Sequence, residues 1–222
     1  MKVLHVGAKN FPAEHGGTER LVQDLVRGMP NVESHIFVEW GHGPGQARVM
    51  MMPKGILARW KMIREYVRRN EIDLVHMHKS SNIPLALALK LSGLKCVLTV
   101  HGCVWRRGEG RWSLPTKMAF FILDYLACVF LDRIVLVGDH DWLSFKKFFP
   151  KKRLALVRNG VAIARSGTNA TRKGWAFLGR ISPEKNILGL IRFASQLSEK
   201  LRIYGPVSPP NPKYEQAFLR QL

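Results

Sequence analysis

The sequence predicts an α/β protein built on a doubly wound parallel sheet, with the beginning of a second domain of the same kind behind it. Three observations predict this. Apolar runs of four to six residues, without polar alternation, recur along the chain, as strands covered on both faces require. Between them lie segments whose apolar residues return at helical spacing. Turns rich in Gly and Pro separate the two kinds, so strand and helix alternate from one end to the other.

The elements follow in order. Residues 2–6 (Lys-Val-Leu-His-Val) form a short buried strand. A loop with Pro12 and the pair Gly16-Gly17 leads to a helix that Thr18 can cap, with Leu21, Val22, Leu25 and Val26 on its apolar face. Residues 34–40 form a strand, ended by Gly41-His-Gly-Pro-Gly45. A short strand at 49–52 precedes a helix at 55–70 that carries Arg59, Lys61, Arg64, Arg68 and Arg69. A strand at 72–78 ends in His76-Met-His78. An apolar helix at 83–91 and a strand at 95–100 come next, the latter running into His101-Gly102. Residues 103–115 read as a long polar loop with Trp105, Arg106, Arg107, Arg111 and Trp112. A helix (116–131), a strand (133–137), a helix (140–149) and a strand (153–157) complete a first domain at 1–160.

Residues 161–173, rich in small residues, read as a linker. The pattern restarts at 174–222 with a strand (174–178), a loop (179–185), a helix (186–197), a strand (201–204) and a final helix from about Lys213. Two strands do not close such a sheet, and a domain of this kind needs on the order of 100 residues. The second domain is therefore expected to be partial.

Composition narrows the function classes. Of 222 residues, 46% are apolar and 23% charged, which excludes disordered and collagen-like chains. The net charge of +19 points to an anionic partner: a phosphorylated substrate, an acidic membrane surface or nucleic acid. The excess is uneven, with 14 basic and 8 acidic residues in 1–100 against 21 and 8 beyond. Cys96, Cys103 and Cys128 are odd in number and form no Cys-x-x-Cys pair, so a reducing compartment is expected. The residues 118–137 are apolar but broken by Asp124, Asp132 and Arg133, and read as a buried helix running into a strand rather than a membrane span.

In an open parallel sheet, ligands gather beyond the carboxyl ends of the strands. That rule selects the Gly16-Gly17 loop, His78 to Asn82, His101-Gly102 and the segment 179–186. Two glycines before a helix let backbone N–H groups approach an anion, although they equally suit a turn with positive φ. His76 and His78 share one strand face, but no third metal ligand is legible, and no metal site is expected. Arg180 and Lys185 offer a planar fork and a mobile point charge, a pair suited to a diphosphate or simply to a solvated loop. Lys146, Lys147, Lys151, Lys152 and Arg153 interleave with Trp142, Phe145, Phe148 and Phe149, a pattern found at anionic membrane surfaces and on amphipathic helices. There is no Gly-x-Ser-x-Gly, no His-Glu-x-x-His and no Cys with an evident His partner.

An ordered set of segments resembles the retaining glycosyltransferases of family 4. They are residues 1–6, His15-Gly-Gly-Thr-Glu-Arg20, Asp73-Leu-Val-His-Met-His78, Leu98-Thr-Val-His-Gly102, Arg158-Asn-Gly-Val161, Phe177-Leu-Gly-Arg180 with Pro183-Glu-Lys-Asn186, and Leu201-Arg-Ile-Tyr-Gly205. The resemblance implies the GT-B arrangement of two Rossmann-like domains and a sugar transferred from a nucleotide-diphosphate sugar. It implies that Gly16 and Gly17 face the acceptor and the donor phosphates, that His101 stands beside the transferred sugar, and that Arg180 and Lys185 hold the diphosphate as it leaves. His78, Trp105, Arg106 and Arg107 would lie on the acceptor side, and Asn159-Gly160 would mark the hinge. No metal and no cofactor beyond the co-substrate is implied.

The resemblance further implies a lipid-linked or cell-envelope glycan as acceptor, met by a cytoplasmic protein peripheral on the inner membrane face. The sequence departs from the family at Ala162, where an acidic residue is usual, at Gly138, where Ser is, and in having no Glu-x7-Glu. That last departure leaves open a partner chain that completes the donor domain. The competing readings are a non-catalytic, membrane-associated subunit and a basic nucleic-acid-binding protein; nucleic acid is not the expected partner.

Overall fold

The computed structural model describes residues 1–14, 16–39, 48–106, 112–160, 173–206 and 212–221. The Gly41–Gly45 loop, Arg107, Arg111, His15 and nearly all of the expected linker lie outside the described residues. The chain divides into two compact units, Met1–Val161 and Ala162–Leu222.

Unit 1 runs β1 (Lys2–Ala8), α1 (Gly17–Gly28), β2 (Glu33–Val38), β3 (Arg48–Met51), α2 (Ile56–Asn70), β4 (Leu74–His78), α3 (Ile83–Leu91), β5 (Cys96–Val100), α4 (Leu114–Phe130), β6 (Arg133–Leu136), α5 (Asp139–Phe148) and β7 (Leu154–Leu156). The strands form one parallel sheet in the order β3-β2-β1-β4-β5-β6-β7. The doubly wound sheet expected from the unbroken apolar runs is the one that forms. The chain winds outward from β1 to β3, then returns to start again at β4. The switch point therefore falls between β1 and β4, and open sheets bind ligands there.

Pleating divides each strand between two faces. Leu4, Val6, Phe37, Val75, Met77, Leu98, Ile134 and Leu136 belong to the main core, packed with Ile63 and Val67 of α2, Ile83 and Leu89 of α3, and Ala127 and Cys128 of α4. Ile36 and Val38 join Val22 and Val26 of α1 in a smaller cluster. His5, His76 and His78 alternate with Leu4, Val6, Val75 and Met77, so they stand on the face opposite the main core. All three cysteines are buried and free.

Local sequence explains most element ends, with two corrections. Thr18 does not cap α1. Gly16, at φ 98°, occupies the cap position, so the helix starts two residues earlier and Thr18 is buried in its first turn. The apolar helix in 118–137 is not buried all round. Ser113 caps α4 by accepting from the Thr116 N–H, and Pro115 sits in the first turn. Asp124, Ala127 and Cys128 then face inward, while Leu114, Met118, Ile122 and Tyr125 are 72%, 54%, 53% and 45% exposed. Among the described residues no helix is long and apolar enough to cross a membrane.

Unit 2 holds β8 (Trp175–Leu178), α6 (Ile187–Ala194), β9 (Leu201–Tyr204) and α7 (Pro212–Leu219), with β8 parallel to β9. Its core is small: Ile181, Ile187 and Phe218, flanked by Phe177, Leu188, Ile191 and Ile203. Trp175, Leu178, Phe193 and Tyr204 are exposed.

Candidate active site

The switch point is built from very close backbone. Gly7, at φ +115°, lies against the end of β4; a Cβ there would stand 2.5 Å from the His78 carbonyl oxygen. From this junction the chain reaches Gly16 and Gly17, which open α1 as the sequence spacing predicts. A helix start gathers unpaired N–H groups and a positive dipole end. Here a carboxylate of the same chain already answers them. Glu19 is buried, and its Oε1 accepts from the Lys9 N–H at 3.1 Å and the Lys79 ammonium at 3.1 Å. Burial alone would raise its carboxyl, but the N–H groups of Glu19 and Lys9 and the Lys79 charge outweigh this and hold it below the ordinary range.

Glu19 was not among the candidate site residues read from sequence, whereas Lys79 lies in the segment 78–82 that the strand-end rule selects. Glu19 was legible in principle, because it stands three residues after the cap, where a capping-box acid belongs. The pairing of Lys79 with it was not, because it depends on a φ of 73° just after β4, which aims Lys79 back across the sheet toward α1.

Beside this pair runs a file of histidines. His5 on β1 is opposite His76 on β4, and His78 is opposite Thr99 on β5. His5 Nδ1 is 3.4 Å from His78 Nε2, and His78 Nδ1 is 3.4 Å from His101 Nε2. His76 Nε2 is 2.7 Å from Thr99 Oγ1. Burial lowers His5 to about 4. Burial, then the neighbouring His5 and His101, lowers His76 to about 3. His78 lies well below its ordinary value for the same reasons. Burial, assisted by Lys79 and opposed by Glu19, lowers His101 to about 4. All four are therefore neutral at pH 7. His101, half-buried just past β5, presents a hydrogen-bonding imidazole rather than a charge.

The structure thus brings Gly16, Gly17, His78 and His101 to one end of the sheet, with different consequences for each. His78 is fully buried and held between His5 and His101, so it has no surface to offer an acceptor. Trp105 is a packing residue. Its indole N–H donates to Asp124 Oδ2 at 2.9 Å, and its ring stacks edge-on against Phe121 and Phe149. Buried Asp124 is pushed up to about 6 by desolvation, against the lowering effect of that bond. The segment expected as polar loop is therefore partly anchored in the helical layer. Arg106 is exposed and donates to the His140 carbonyl oxygen. In unit 2, Arg180 and Lys185 flank the turn after β8. Both are exposed, and among the described residues neither side chain has a hydrogen-bond or ion-pair partner.

The pair His76 and His78 also gains what the sequence did not show, a third imidazole. His5 lies on the next strand, and ring nitrogens of the three are within 4.8 Å of one another. Parallel register is not legible in a sequence, so the juxtaposition was invisible there.

Comparison with known proteins places this architecture. The chain resembles the sucrose-phosphate synthase of Thermosynechococcus elongatus with a TM-score of 0.77 at 13% identity, over 99% of this chain and 67% of that one. HepE of Anabaena, solved with UDP-glucose, gives 0.74 at 15% identity over 100% and 65%. WaaG, a glycosyltransferase of lipopolysaccharide biosynthesis, gives 0.64 at 12% over 99% and 66%. The chain thus spans about two thirds of the length of these structures. No curated protein sequence matches it at a significant level. The profile described as Glycosyltransferase Family 4 matches residues 15–165, more than half of the chain. By that match, over residues 15–165, the chain belongs to glycosyltransferase family 4.

Proposed function

We propose that this chain takes part in transferring a sugar, with retention, from a nucleotide-diphosphate sugar to a lipid-linked or cell-envelope glycan at an anionic membrane surface. The observation that carries the reading is the convergence of the Gly16-Gly17 helix start and neutral His101 on the switch point of the sheet. His101 is placed to hydrogen-bond a sugar hydroxyl without adding a charge. Arg180 would fork the diphosphate oxygens and Lys185 would supply a point charge as the leaving group forms. No metal is assigned a part in that step. Glu19 already compensates the positive end of α1. The contribution of Gly16 and Gly17 is therefore close backbone approach more than net charge.

The experiment is a thermal-shift titration of the chain with UDP and GDP at moderate salt. A ligand at about 100 times its Kd stabilises the native state by about 2.7 kcal/mol. A saturable rise with one nucleotide is expected, with the apparent Kd weakened about tenfold or more in Arg180→Ala and in Lys185→Ala. Equal affinity in all three proteins would remove the role given to these cations. No rise with either nucleotide would overturn donor binding by this chain and favour an acceptor-side subunit completed by a partner.

The membrane part rests on the surface of α4. Leu114, Met118, Ile122 and Tyr125 recur at helical spacing as one exposed apolar stripe. Phe148 of α5 packs within 6.1 Å of Phe121 on α4, and Lys147 lies over the Phe148 ring at 5.3 Å. Apolar side chains rimmed by lysines suit the interface of an anionic bilayer. Sedimentation with vesicles containing an anionic lipid is expected to carry the protein down, less so at high salt. A Met118→Glu, Ile122→Glu double variant is expected to bind at least tenfold more weakly with an unchanged melting temperature, because both side chains are exposed. Unaltered binding in that variant would return the stripe to an ordinary surface.

A further inference from the structure

We propose that His5, His76 and His78 form a binding site for one divalent transition-metal ion of the zinc class. The site is independent of the sugar-transfer reading and lies behind the crevice rather than in it. Two adjacent parallel strands build it. Register sets His5 against His76, and His78 follows two residues along on the same face. One nitrogen from each comes within 4.8 Å of the other two. His5 Nδ1 and His78 Nε2 are 3.4 Å apart, close to the ~3.3 Å edge of a tetrahedron with metal–nitrogen distances of about 2.0–2.1 Å.

The second nitrogens of two of the three rings fit the same assignment. Histidine ligands fix their orientation by giving the other N–H to an outer partner. His76 has Thr99 Oγ1 at 2.7 Å, and His78 has His101 Nε2 at 3.4 Å. His5, bound through Nδ1, would keep its proton on Nε2, which is buried with no hydrogen-bond partner among the described residues, so it is the one ligand of the three without an outer acceptor. His76 is the half-buried member and gives an ion its way in. Three imidazoles without a carboxylate suit Zn2+, Co2+, Ni2+ or Cu2+ and not Mg2+ or Ca2+. An ion on His78 Nε2 would fix the proton on His78 Nδ1 and turn the Nε2 of His101 into its acceptor. His101 would then keep its own proton on Nδ1. The ion is thus a positioning element for the half-buried histidine at the crevice.

The test uses the metals alone on the chelator-treated chain. Co2+ is expected to bind at one equivalent, with the visible absorption of a tetrahedral nitrogen site, and Zn2+ to displace it. Affinity is expected to fall at least 100-fold in His76→Gln and about tenfold in Thr99→Val, the latter by losing the outer partner. X-ray absorption on the wild-type zinc form is expected to count three imidazoles, which decides the matter should a histidine variant not fold. Absence of a stoichiometric cobalt spectrum, fewer than three imidazoles on zinc, or unchanged affinity in a folded His76→Gln would each overturn the site.

Discussion

The protein is expected to lose much of its stability between pH 7 and pH 5, a window in which buried Asp124, raised to about 6, is the carboxylate that titrates and works in the opposite sense. The cause is the histidine file. A group whose folded pKa lies below its unfolded value binds more protons when unfolded, so stability is present above the unfolded value and drains as pH falls toward the folded one. For His5, His76 and His101 that window runs from 6.5 down to about 4, about 3 and about 4, and His78 shifts the same way. Each of His5, His76 and His101 forfeits about 2 kcal/mol between pH 7 and pH 5, on the order of 6 kcal/mol together, and Asp124, which gains its proton more readily when folded, returns about 1 kcal/mol. Total stabilities of about 5–15 kcal/mol leave little beyond that. Glu19 adds a loss of the same sign only lower, as pH falls below its ordinary value of 4.5. Urea unfolding in chelator from pH 8 to pH 4.5 measures the slope, with about three to four protons taken up on unfolding near pH 5. A stability that is level down to pH 5 would show that the imidazoles are charged or solvated in the native state.

Gly7→Ala is expected to be the most damaging single methyl in unit 1. The added Cβ would stand 2.5 Å from the His78 carbonyl oxygen and 2.7 Å from Asn82 Nδ2, at a φ of +115° that L-residues avoid. Asn82 can swing away, although it would surrender its hydrogen bond to that same carbonyl. The carbonyl belongs to β4 at the centre of the sheet and cannot move without breaking its register with β5. Backbone strain and overpacking each cost about 1–3 kcal/mol, and here they act together, so a loss of about 3–5 kcal/mol is expected. Gly17→Ala is the control. Its Cβ would meet nothing within 4 Å, and it sits at the first position of α1, so a change within about 0.5 kcal/mol is expected. Urea midpoints of the two variants make the comparison; similar losses in both would mean that glycine itself, and not the β1–β4 junction, sets the cost.

The two substitutions mark where reading the sequence succeeds and where it stops. The alternation of apolar runs with helical-period segments was sufficient for the sheet, because burial on both faces demands runs such as Val-Leu-His-Val and Leu-Val-His-Met whatever their neighbours are. The Gly16-Gly17 helix start and the exposed cations Arg180 and Lys185 were legible because each depends on residues a few positions apart. Trp105 was misplaced because an aromatic in a polar stretch gives no sign that a buried Asp124, nineteen residues later, will accept its N–H. The outward stripe of α4 was missed because apolar residues on both sides of a helix give no sign of which side the sheet will cover.

What the sequence determined by itself is the doubly wound class, the approximate element boundaries and the family, since these follow from local periodicity and ordered short motifs. What only the tertiary structure decided is which strands are neighbours. Register carried His5 to His76, sealed His78 between two other imidazoles, and turned Lys79 onto Glu19. The physical reason is that strand order and register come from packing summed over the whole sheet. The chemistry at its switch point depends on nitrogen and oxygen atoms meeting within a few ångströms from residues up to 73 positions apart.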